Sequence, residues 1–337
     1  MRWVWVAALS GALMVSCSSD DAADGSGGSA GSGGSSGSGA VGGSGGSAGS
    51  AGSGGQSTPL PGDVETFAEL DSGSEGLAFG LTPGGDPILY VGLNSTDRIV
   101  TVTDQGQVSE FASVKSPLGM ALTKDGDLLV CGQDDSTGTA EGVIWKVTPS
   151  GDTSVFIRGD LEPFETTNFV AIAPDDKIVF SDSKAERVYL TDSAGQNLAI
   201  LSSDIRYPNG MAFSADGTQL FVASWNAESV WSIPRDPKIG NYGPGSEFLT
   251  GVKSVDGVIT MEAGDLVLIT SGDGVVRADT SGSRVLAPGA EFNVAANGAF
   301  GVGSYGSEWL YVTNLFGKKV SRVLFADGDT GLDLPVR

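Results

Sequence analysis

The sequence contains no histidine and only two cysteines, Cys17 and Cys131. Without histidine, a Ser-His-Asp catalytic triad and the usual zinc sites are excluded. Cys131 follows the apolar run 128–130 and has no partner for an intrachain disulfide in the mature domain. It is therefore predicted to be a packed strand residue, because a catalytic thiol would need a histidine nearby.

Basic residues are also scarce: 19 Lys and Arg stand against 41 Asp and Glu, which gives a formal net charge of −22. Binding to nucleic acid and to anionic lipid depends on Lys and Arg, so neither is expected as a partner. We interpret most of the acidity as the solvated surface of a protein at the cell surface.

A hydrophobic run appears only at the start of the chain, in residues 3–15, and it is too short to span a bilayer. It ends just before Cys17, which small residues precede and polar residues follow, as in a bacterial lipoprotein cleavage site. Residues 1–17 are therefore predicted to be a signal peptide, with lipid attached to Cys17. The protein is then expected in the cell envelope, anchored to the outer membrane or cell surface. The alternative is an ordinary secretory signal with an incidental cysteine.

Residues 18–58 consist almost entirely of Gly, Ser and Ala. Such a segment buries too little apolar surface to offset its ordering entropy, so we predict a disordered linker. Residues 59–337 have the length of one domain, and we expect a monomer.

A hairpin unit recurs six times in that domain, each time as two short apolar runs around a polar turn. From Gly76, the equivalent position recurs after 43, 50, 41, 47 and 41 residues. A period of 40 to 50 residues with about four strands per unit indicates an all-β, six-bladed β-propeller. The last blade lacks an outer strand, and residues 64–68 are predicted to supply it and close the ring.

One residue stands at the mouth of each repeated first strand. In chain order these are Glu75, Leu118, Asn168, Asn209, Asp256 and Asn297. A propeller brings its first strands together around a central channel, so these side chains are expected to converge. The oxygens of Glu75, Asn168, Asn209 and Asp256 suit a hard divalent cation. The alternative is that Asn and Asp before Gly are turn residues whose side chains cap backbone N–H groups. Asn297 is either a turn residue of this kind or a residue that supports the metal ligands.

Residues 64–326 resemble the senescence marker protein/gluconolactonase/luciferin-regenerating-enzyme family of six-bladed propellers. The motifs that carry the resemblance are Ser74-Glu75-Gly76, Tyr207-Pro208-Asn209-Gly210-Met211-Ala212-Phe213 with Asp216-Gly217, and Val255-Asp256-Gly257. The resemblance implies that Glu75, Asn209 and Asp256 hold a divalent metal, most simply Ca²⁺, with Mg²⁺, Mn²⁺ and Zn²⁺ as alternatives. Asn168 matches a residue that binds either the metal or the substrate in relatives.

The chain departs from the family pattern beside each motif residue. Leu77-Ala78-Phe79 stands where the family has Pro and an aromatic residue, Phe169 where it has Asp, and Val255 where it has Pro. The metal ligands are unchanged, and the departures concern the substrate side. The loops on the metal face are expected to line a substrate pocket with Phe164, Asp182, Tyr207, Trp225, Asn226 and Phe316.

The resemblance implies a hydrolase of lactones or of related esters. A divalent cation would polarise the substrate carbonyl and acidify a bound water, with Asp256 as the catalytic carboxylate that takes or holds the proton. No Lys or Arg lies in the motifs, which disfavours sugar phosphates. Two alternatives remain open: a non-catalytic cell-surface binding propeller with a structural metal, and a propeller without any metal.

Overall fold

The computed structural model describes residues 59–159, 162–325 and 331. The predicted signal peptide and linker, residues 1–58, lie outside the described residues. Within these ranges the chain forms six four-stranded antiparallel sheets, as predicted for a six-bladed propeller. Its helices there are three short 3₁₀ turns at Asn94–Thr96, Gly289–Glu291 and Gly303–Tyr305. None of the helices in the described ranges has the length and hydrophobicity needed to span a bilayer.

In the first five blades the strands follow the chain from the channel outwards, and in the sixth blade the N-terminal strand β1 takes the outer position. The first blade comprises β2 (Leu77–Leu81), β3 (Pro87–Leu93), β4 (Arg98–Val102) and β5 (Val108–Ser113); the second comprises β6 (Met120–Leu122), β7 (Leu128–Asp134), β8 (Glu141–Val147) and β9 (Thr153–Ile157). The third comprises β10 (Thr167–Ile172), β11 (Ile178–Asp182), β12 (Arg187–Thr191) and β13 (Ala199–Ser202); the fourth comprises β14 (Pro208–Phe213), β15 (Gln219–Ser224), β16 (Ser229–Pro234) and β17 (Ser246–Thr250). The fifth comprises β18 (Val255–Thr260), β19 (Leu266–Thr270), β20 (Gly274–Asp279) and β21 (Gly282–Pro288); the sixth comprises β22 (Ala295–Phe300), β23 (Trp309–Asn314), β24 (Lys319–Leu324) and β1 (Val64–Glu69).

Strand β1 closes the ring, which confirms the sequence prediction. It pairs antiparallel with β24, with Val64 opposite Val323 and Glu65 opposite Arg322. The Arg322 guanidinium lies 2.8 Å from the Glu65 carboxylate. Because β1 covers the edge of the last sheet, residues far apart in the chain hold the propeller shut.

The hydrophobic core is divided into six clusters, one between each pair of neighbouring blades. The second strands are continuous apolar runs because both of their faces are buried. In β7, Leu128 and Val130 pack against the first blade, while Leu129 and Cys131 pack against the third. Alternate side chains of one strand thus serve two interfaces. Cys131 is fully buried and free, as predicted for a packed strand residue.

Candidate metal centre

The site residues of the last four blades lie at irregularities in their first strands. The pairing of first with second strand shifts register between Thr167 and Val170, between Pro208 and Met211, between Val255 and Gly257, and between Ala295 and Gly298. Asn168, Asn209, Asp256 and Asn297 fall inside these shifts. A β-bulge re-aims a side chain out of the regular alternation of a strand, and here it does so in each of these four blades.

Glycines beside the site let neighbouring first strands approach closely. A Cβ atom placed on Gly210 would lie 2.3 Å from the backbone oxygen of Asp256, and one on Gly76 would lie 2.0 Å from that of Leu118. No residue with a side chain fits at such distances, so glycine is required there. The close approach brings Asn209 beside Asp256, although 47 residues separate them in the chain.

The four residues proposed as ligands form one connected group. A side-chain hydrogen bond joins Asn209 to Asp256, and the charge of Asp256 raises the pKa of Glu75. Asn168 donates its Nδ2–H to Ser183 Oγ at 2.9 Å, and that hydroxyl donates to the backbone oxygen of Pro208 at 2.6 Å. Glu75, Asn209 and Asp256 therefore lie close enough to interact, and Asn168 is linked through Ser183 to the backbone beside Asn209.

Each of these four residues carries a buried oxygen without a hydrogen-bond partner. The atoms are Glu75 Oε2, Asn168 Oδ1, Asn209 Oδ1 and Asp256 Oδ1. A buried acceptor without a donor costs about 1–3 kcal/mol, so four in one place are costly unless something binds them. Carboxylate and amide oxygens are the ligands that Ca²⁺ prefers. The donor set therefore fits a hard divalent cation.

Asn297 differs from the other four polar residues of the ring. Its Oδ1 accepts a hydrogen bond from the Gly298 N–H at 3.1 Å, and its buried Nδ2 is the atom without a partner. The group of Asn297 that remains available is therefore the Nδ2–H donor, and its oxygen is already hydrogen-bonded. This geometry matches a residue that supports the ring rather than a metal ligand.

The electrostatics of the centre also favour a cation. Burial raises the pKa of the Glu75 carboxyl well above its usual range, and the nearby charge of Asp256 raises it further. Burial likewise raises the pKa of Asp256, and the hydrogen bond from Asn209 opposes this in part. No Lys or Arg is among the groups that shift these two pKa values, whereas a divalent cation would balance both charges.

Two carboxylates are few for a metal centre. The described residues contain no group of three or more His, Cys, Asp or Glu side chains arranged for a metal ion. Two of the four candidate ligands, Asn168 and Asn209, contribute amide oxygens instead. Such oxygens suit Ca²⁺ and Mg²⁺ better than the softer transition metals.

Hydroxyl groups on the second strands hold the bulges in place. Ser181 Oγ accepts the Phe169 N–H at 3.0 Å and donates to the backbone oxygen of Asn209 at 3.1 Å. In the sixth blade, Thr313 Oγ1 accepts the Asn297 N–H at 3.0 Å and donates to the backbone oxygen of Glu75. Each hydroxyl thus joins the bulge of its own blade to a ligand of the next. Neither residue was predicted from the sequence, although both occupy the same place near the end of a second strand.

Replacing Ser183 by Ala is expected to weaken metal binding about 10- to 100-fold, because the Asn168 amide loses the partner that orients its oxygen. The variant should also lose about 1–3 kcal/mol of stability, since two buried polar groups become unpaired. Calcium titration calorimetry and a urea melt measure the two effects. Ser229→Ala is the matched control, because its buried hydroxyl has no hydrogen-bond partner. Equal calcium affinity in the two variants would contradict the role of Ser183.

The expected pocket residues fall into three groups. Tyr207 and Trp225 lie together beside the centre, with ring centroids 6.0 Å apart, and burial together with the charge of Asp256 raises the pKa of Tyr207. Asn226 and Phe316 are exposed on loops. The remaining two expectations, for Phe164 and Asp182, are wrong.

Phe164 and Asp182 have structural roles instead. Phe164 is buried in the core between the second and third blades, 5.2 Å from the ring of Phe180. Both carboxylate oxygens of Asp182 accept backbone N–H groups, from Glu165 and Thr166, each at 2.8 Å. A carboxylate whose oxygens are both occupied in this way orders its loop and has little capacity left for a metal.

Residues in left-handed backbone conformation surround the centre, and they were not predicted. Ser116, Tyr207 and Ser254 each lie two residues before a ring position, with φ of 46°, 48° and 50°, and Val294 has φ of 61°. Non-glycine residues rarely adopt such angles, and they gather at functional sites. No sequence signal marks them, since none is Gly or Asn.

Comparison with known proteins identifies the family and the fold. A family model described as the SMP-30/gluconolactonase/LRE-like region matches residues 89–315. Comparison with curated protein sequences finds no match.

Solved structures show the same fold at low identity. A gluconolactonase from Xanthomonas campestris is 19% identical with a TM-score of 0.65, covering 78% of this chain and 89% of that one. Regucalcin from Agrobacterium tumefaciens, described as a calcium-binding protein, is 19% identical with a TM-score of 0.60, covering 80% and 93%. A luciferin-regenerating enzyme is 16% identical with a TM-score of 0.62, covering 80% and 97%. Since the family model spans well over half of the sequence, the chain belongs to the SMP-30/gluconolactonase/LRE-like family of β-propellers.

Proposed function

We propose that the protein is a metal-dependent hydrolase that opens a lactone or cleaves an ester at the mouth of its central channel. The observation that carries this proposal is the set of four buried, unpartnered oxygens on Glu75, Asn168, Asn209 and Asp256. The gluconolactonase among the structural relatives supports the reaction class, and the calcium-binding regucalcin supports the choice of cation.

A divalent cation held there would polarise the substrate carbonyl and lower the pKa of a bound water. The chain supplies the remaining elements. Asp256 is the carboxylate that would take or hold the proton of that water, and its hydrogen bond with Asn209 holds it in position. Beside a cation its pKa falls, so Asp256 acts as a weak base that suits only an acidified water. Ser183 keeps the Asn168 oxygen directed towards the centre.

Hydrolysis of a panel of lactones and aryl esters by the purified protein tests the proposal. We expect turnover that EDTA abolishes and Ca²⁺, Mg²⁺ or Mn²⁺ restores, and that Asp256→Asn reduces at least about 100-fold. An Asp125→Asn variant is the control, because Asp125 is exposed in the turn between β6 and β7. A protein that binds calcium but hydrolyses nothing in the panel would favour the non-catalytic binding propeller instead.

We also propose that a lipid on Cys17 anchors the protein to the bacterial outer membrane or cell surface. The support is the sequence pattern around Cys17 and the Gly/Ser-rich segment 18–58 that follows it. Cys17→Ser is expected to move the protein from the detergent phase to the aqueous phase in a partitioning experiment. Cys131→Ser should leave partitioning unchanged, since Cys131 is buried in the core. Membrane association that survives Cys17→Ser would contradict the anchor.

A further inference from the structure

Among the five polar positions around the candidate metal centre, Asn297 presents an unpartnered hydrogen-bond donor. The other four positions each leave an oxygen unpartnered: Glu75, Asn168, Asn209 and Asp256. At Asn297 the unpartnered atom is the amide nitrogen Nδ2, and the residue is only 3% exposed. A buried N–H group without an acceptor is costly, as is a buried oxygen without a donor. The four oxygens indicate a cation, and the nitrogen therefore indicates an acceptor atom beside it.

The orientation of the Asn297 amide group is set by the neighbouring backbone. Its Oδ1 accepts the Gly298 N–H at 3.1 Å. If the amide group were turned over, two N–H donors would face each other, so the nitrogen cannot take the place of the oxygen. The Asn297 N–H donates to Thr313 Oγ1 at 3.0 Å, which holds the backbone of the same residue. The Nδ2–H group is thus a donor that the fold itself fixes in place.

Contacts with neighbouring blades place Asn297 between the positions of Asp256 and Glu75. On one side its amide oxygen lies against Gly257, where an added Cβ atom would be 2.9 Å from Oδ1. Gly257 directly follows Asp256, and the absence of a side chain there lets the amide group approach. On the other side Thr313 Oγ1 donates to the backbone oxygen of Glu75. The unpartnered donor therefore belongs to the same centre as the unpartnered oxygens.

Asn168 shows how a comparable amide group is satisfied within the chain. Its Nδ2–H donates to Ser183 Oγ at 2.9 Å. By strand register, the place of Ser183 in the sixth blade is taken by Asn314. The oxygen of Asn314 accepts the Asn293 N–H at 3.1 Å, and its nitrogen donates to strand β24. No acceptor among the described residues takes the Asn297 Nδ2–H, so the acceptor must come from a bound molecule.

The carbonyl oxygen of a lactone or ester is the acceptor that suits this donor best. It carries lone pairs and no proton, and it gains negative charge when water adds to the carbonyl carbon. A fixed N–H donor stabilises that charge more in the transition state than in the bound substrate, which is the condition for catalysis. If the same N–H group donated to the attacking water, it would instead withdraw electron density from the nucleophile.

We propose that Asn297 is a catalytic residue that donates its Nδ2–H to the carbonyl oxygen of the substrate and stabilises the negative charge formed there. The inference rests on the proposed hydrolase function and adds a residue to it. Asn297 neither gains nor loses a proton. As water adds, the π electrons of the carbonyl move to the oxygen that Asn297 holds, and they return when the C–O bond to the alkoxy group breaks. Asp256 takes or holds the proton of the water.

Replacing Asn297 by Asp separates this role from a structural one, because the carboxylate keeps an oxygen for the Gly298 N–H and lacks the Nδ2 donor. The assay uses the full chain loaded with Ca²⁺ and the compound of the panel that the wild type hydrolyses fastest. We expect kcat/KM to fall at least about 100-fold. The Kd for δ-valerolactam, whose carbonyl resists hydrolysis, should rise about 3- to 10-fold. Asn241→Asp is the matched control, since Asn241 is exposed in the loop between β16 and β17.

Replacing Asn297 by Ala removes the donor without adding a charge, and it keeps the inference testable if the aspartate variant folds poorly or binds the cation. We expect the same loss of kcat/KM and of lactam affinity, with calcium affinity within about 3-fold of the wild type. Calcium titration calorimetry measures that affinity. A calcium affinity that falls together with turnover would make Asn297 a metal ligand or a structural residue and would overturn the inference.

Two further results would overturn the role of Asn297 and leave the hydrolase function intact. One is wild-type kcat/KM and lactam affinity in both variants. The other is a loss of turnover with unchanged lactam affinity, which would assign the donor to a water molecule. Hydrolysis of no compound in the panel by the wild type would overturn the proposed function and this inference with it.

Discussion

Replacing Asp256 by Asn is expected to abolish the thermal stabilisation that Ca²⁺ gives the wild-type protein. The substitution keeps the size of the side chain and removes one of the two negative charges of the centre. For the wild type, calcium at 100 times its Kd adds about 2.7 kcal/mol, because an unfolded chain cannot gather ligands from four blades. In a domain of this size that corresponds to roughly 5 °C in the melting temperature.

In the presence of a chelator the same variant is expected to melt higher than the wild type at pH 8. Burial raises the pKa of Glu75, and it raises that of Asp256 to about 7. A carboxyl group whose pKa is higher in the folded state stabilises the fold at low pH, and this contribution is lost as the pH rises from about 4 through the raised pKa. Metal-free wild type should therefore lose stability between about pH 4 and pH 8. The substituted asparagine cannot ionise, and it leaves Glu75 beside a neutral group.

Thermal melts of wild type, Asp256→Asn and Asp125→Asn in EDTA and in Ca²⁺, at pH 5 and pH 8, measure both effects. At pH 8, Asp256→Asn should melt at a higher temperature than the wild type in EDTA and at a lower temperature than the wild type in Ca²⁺. A wild-type melting temperature that is indifferent to EDTA and Ca²⁺ would refute the shared site. So would an Asp256→Asn variant with the full calcium response.

Replacing Gly210 by Ala is expected to destabilise the domain and to eliminate calcium binding together. The new Cβ would lie 2.3 Å from the backbone oxygen of Asp256 and 2.8 Å from the Cα of Gly257. Both neighbours are backbone atoms, so the fourth and fifth blades must separate at the level of Asn209 and Asp256. Overpacking of this kind costs about 1–3 kcal/mol, and the displaced ligands no longer share one cation.

Urea melts and calcium titrations of Gly210→Ala measure the two losses. Gly272→Ala is the matched control, because a Cβ at Gly272 meets nothing within 4 Å and its φ is not in the left-handed region. We expect the control to retain the wild-type calcium affinity. A Gly210→Ala variant that unfolds at the wild-type urea concentration and binds calcium normally would show that the close approach of the blades is not needed for the site.

Much of the fold could be predicted because the propeller is a repeat. Each hairpin unit is locally encoded by apolar runs and a turn, and its recurrence every 40 to 50 residues indicates both the blade and the number of blades. The phase of that repeat also assigns Glu75, Asn168, Asn209 and Asp256 to equivalent positions. The pairing of β1 with β24 was likewise predictable, since the sixth blade was one strand short.

The loop residues could not be assigned in the same way, because their partners come from distant parts of the chain. An aromatic residue such as Phe164 gives the same sequence pattern whether it faces a channel or a core, and the packing of the third blade decides in favour of the core. Asp182 is likewise a reasonable ligand by sequence, but the N–H groups of Glu165 and Thr166 occupy its carboxylate.

The amino-acid sequence was sufficient to predict the six-bladed ring, its closure and the identity of the oxygen-bearing residues at one level of the channel. Which of those oxygens are free became clear only from the folded arrangement, because Ser183 occupies the nitrogen of Asn168 and Gly298 occupies the oxygen of Asn297. The same holds for the backbone strain at Tyr207 and for the raised pKa values of Glu75 and Asp256. The difference arises because periodicity places a side chain in its blade, whereas hydrogen bonding, burial and charge depend on atoms that neighbouring blades contribute.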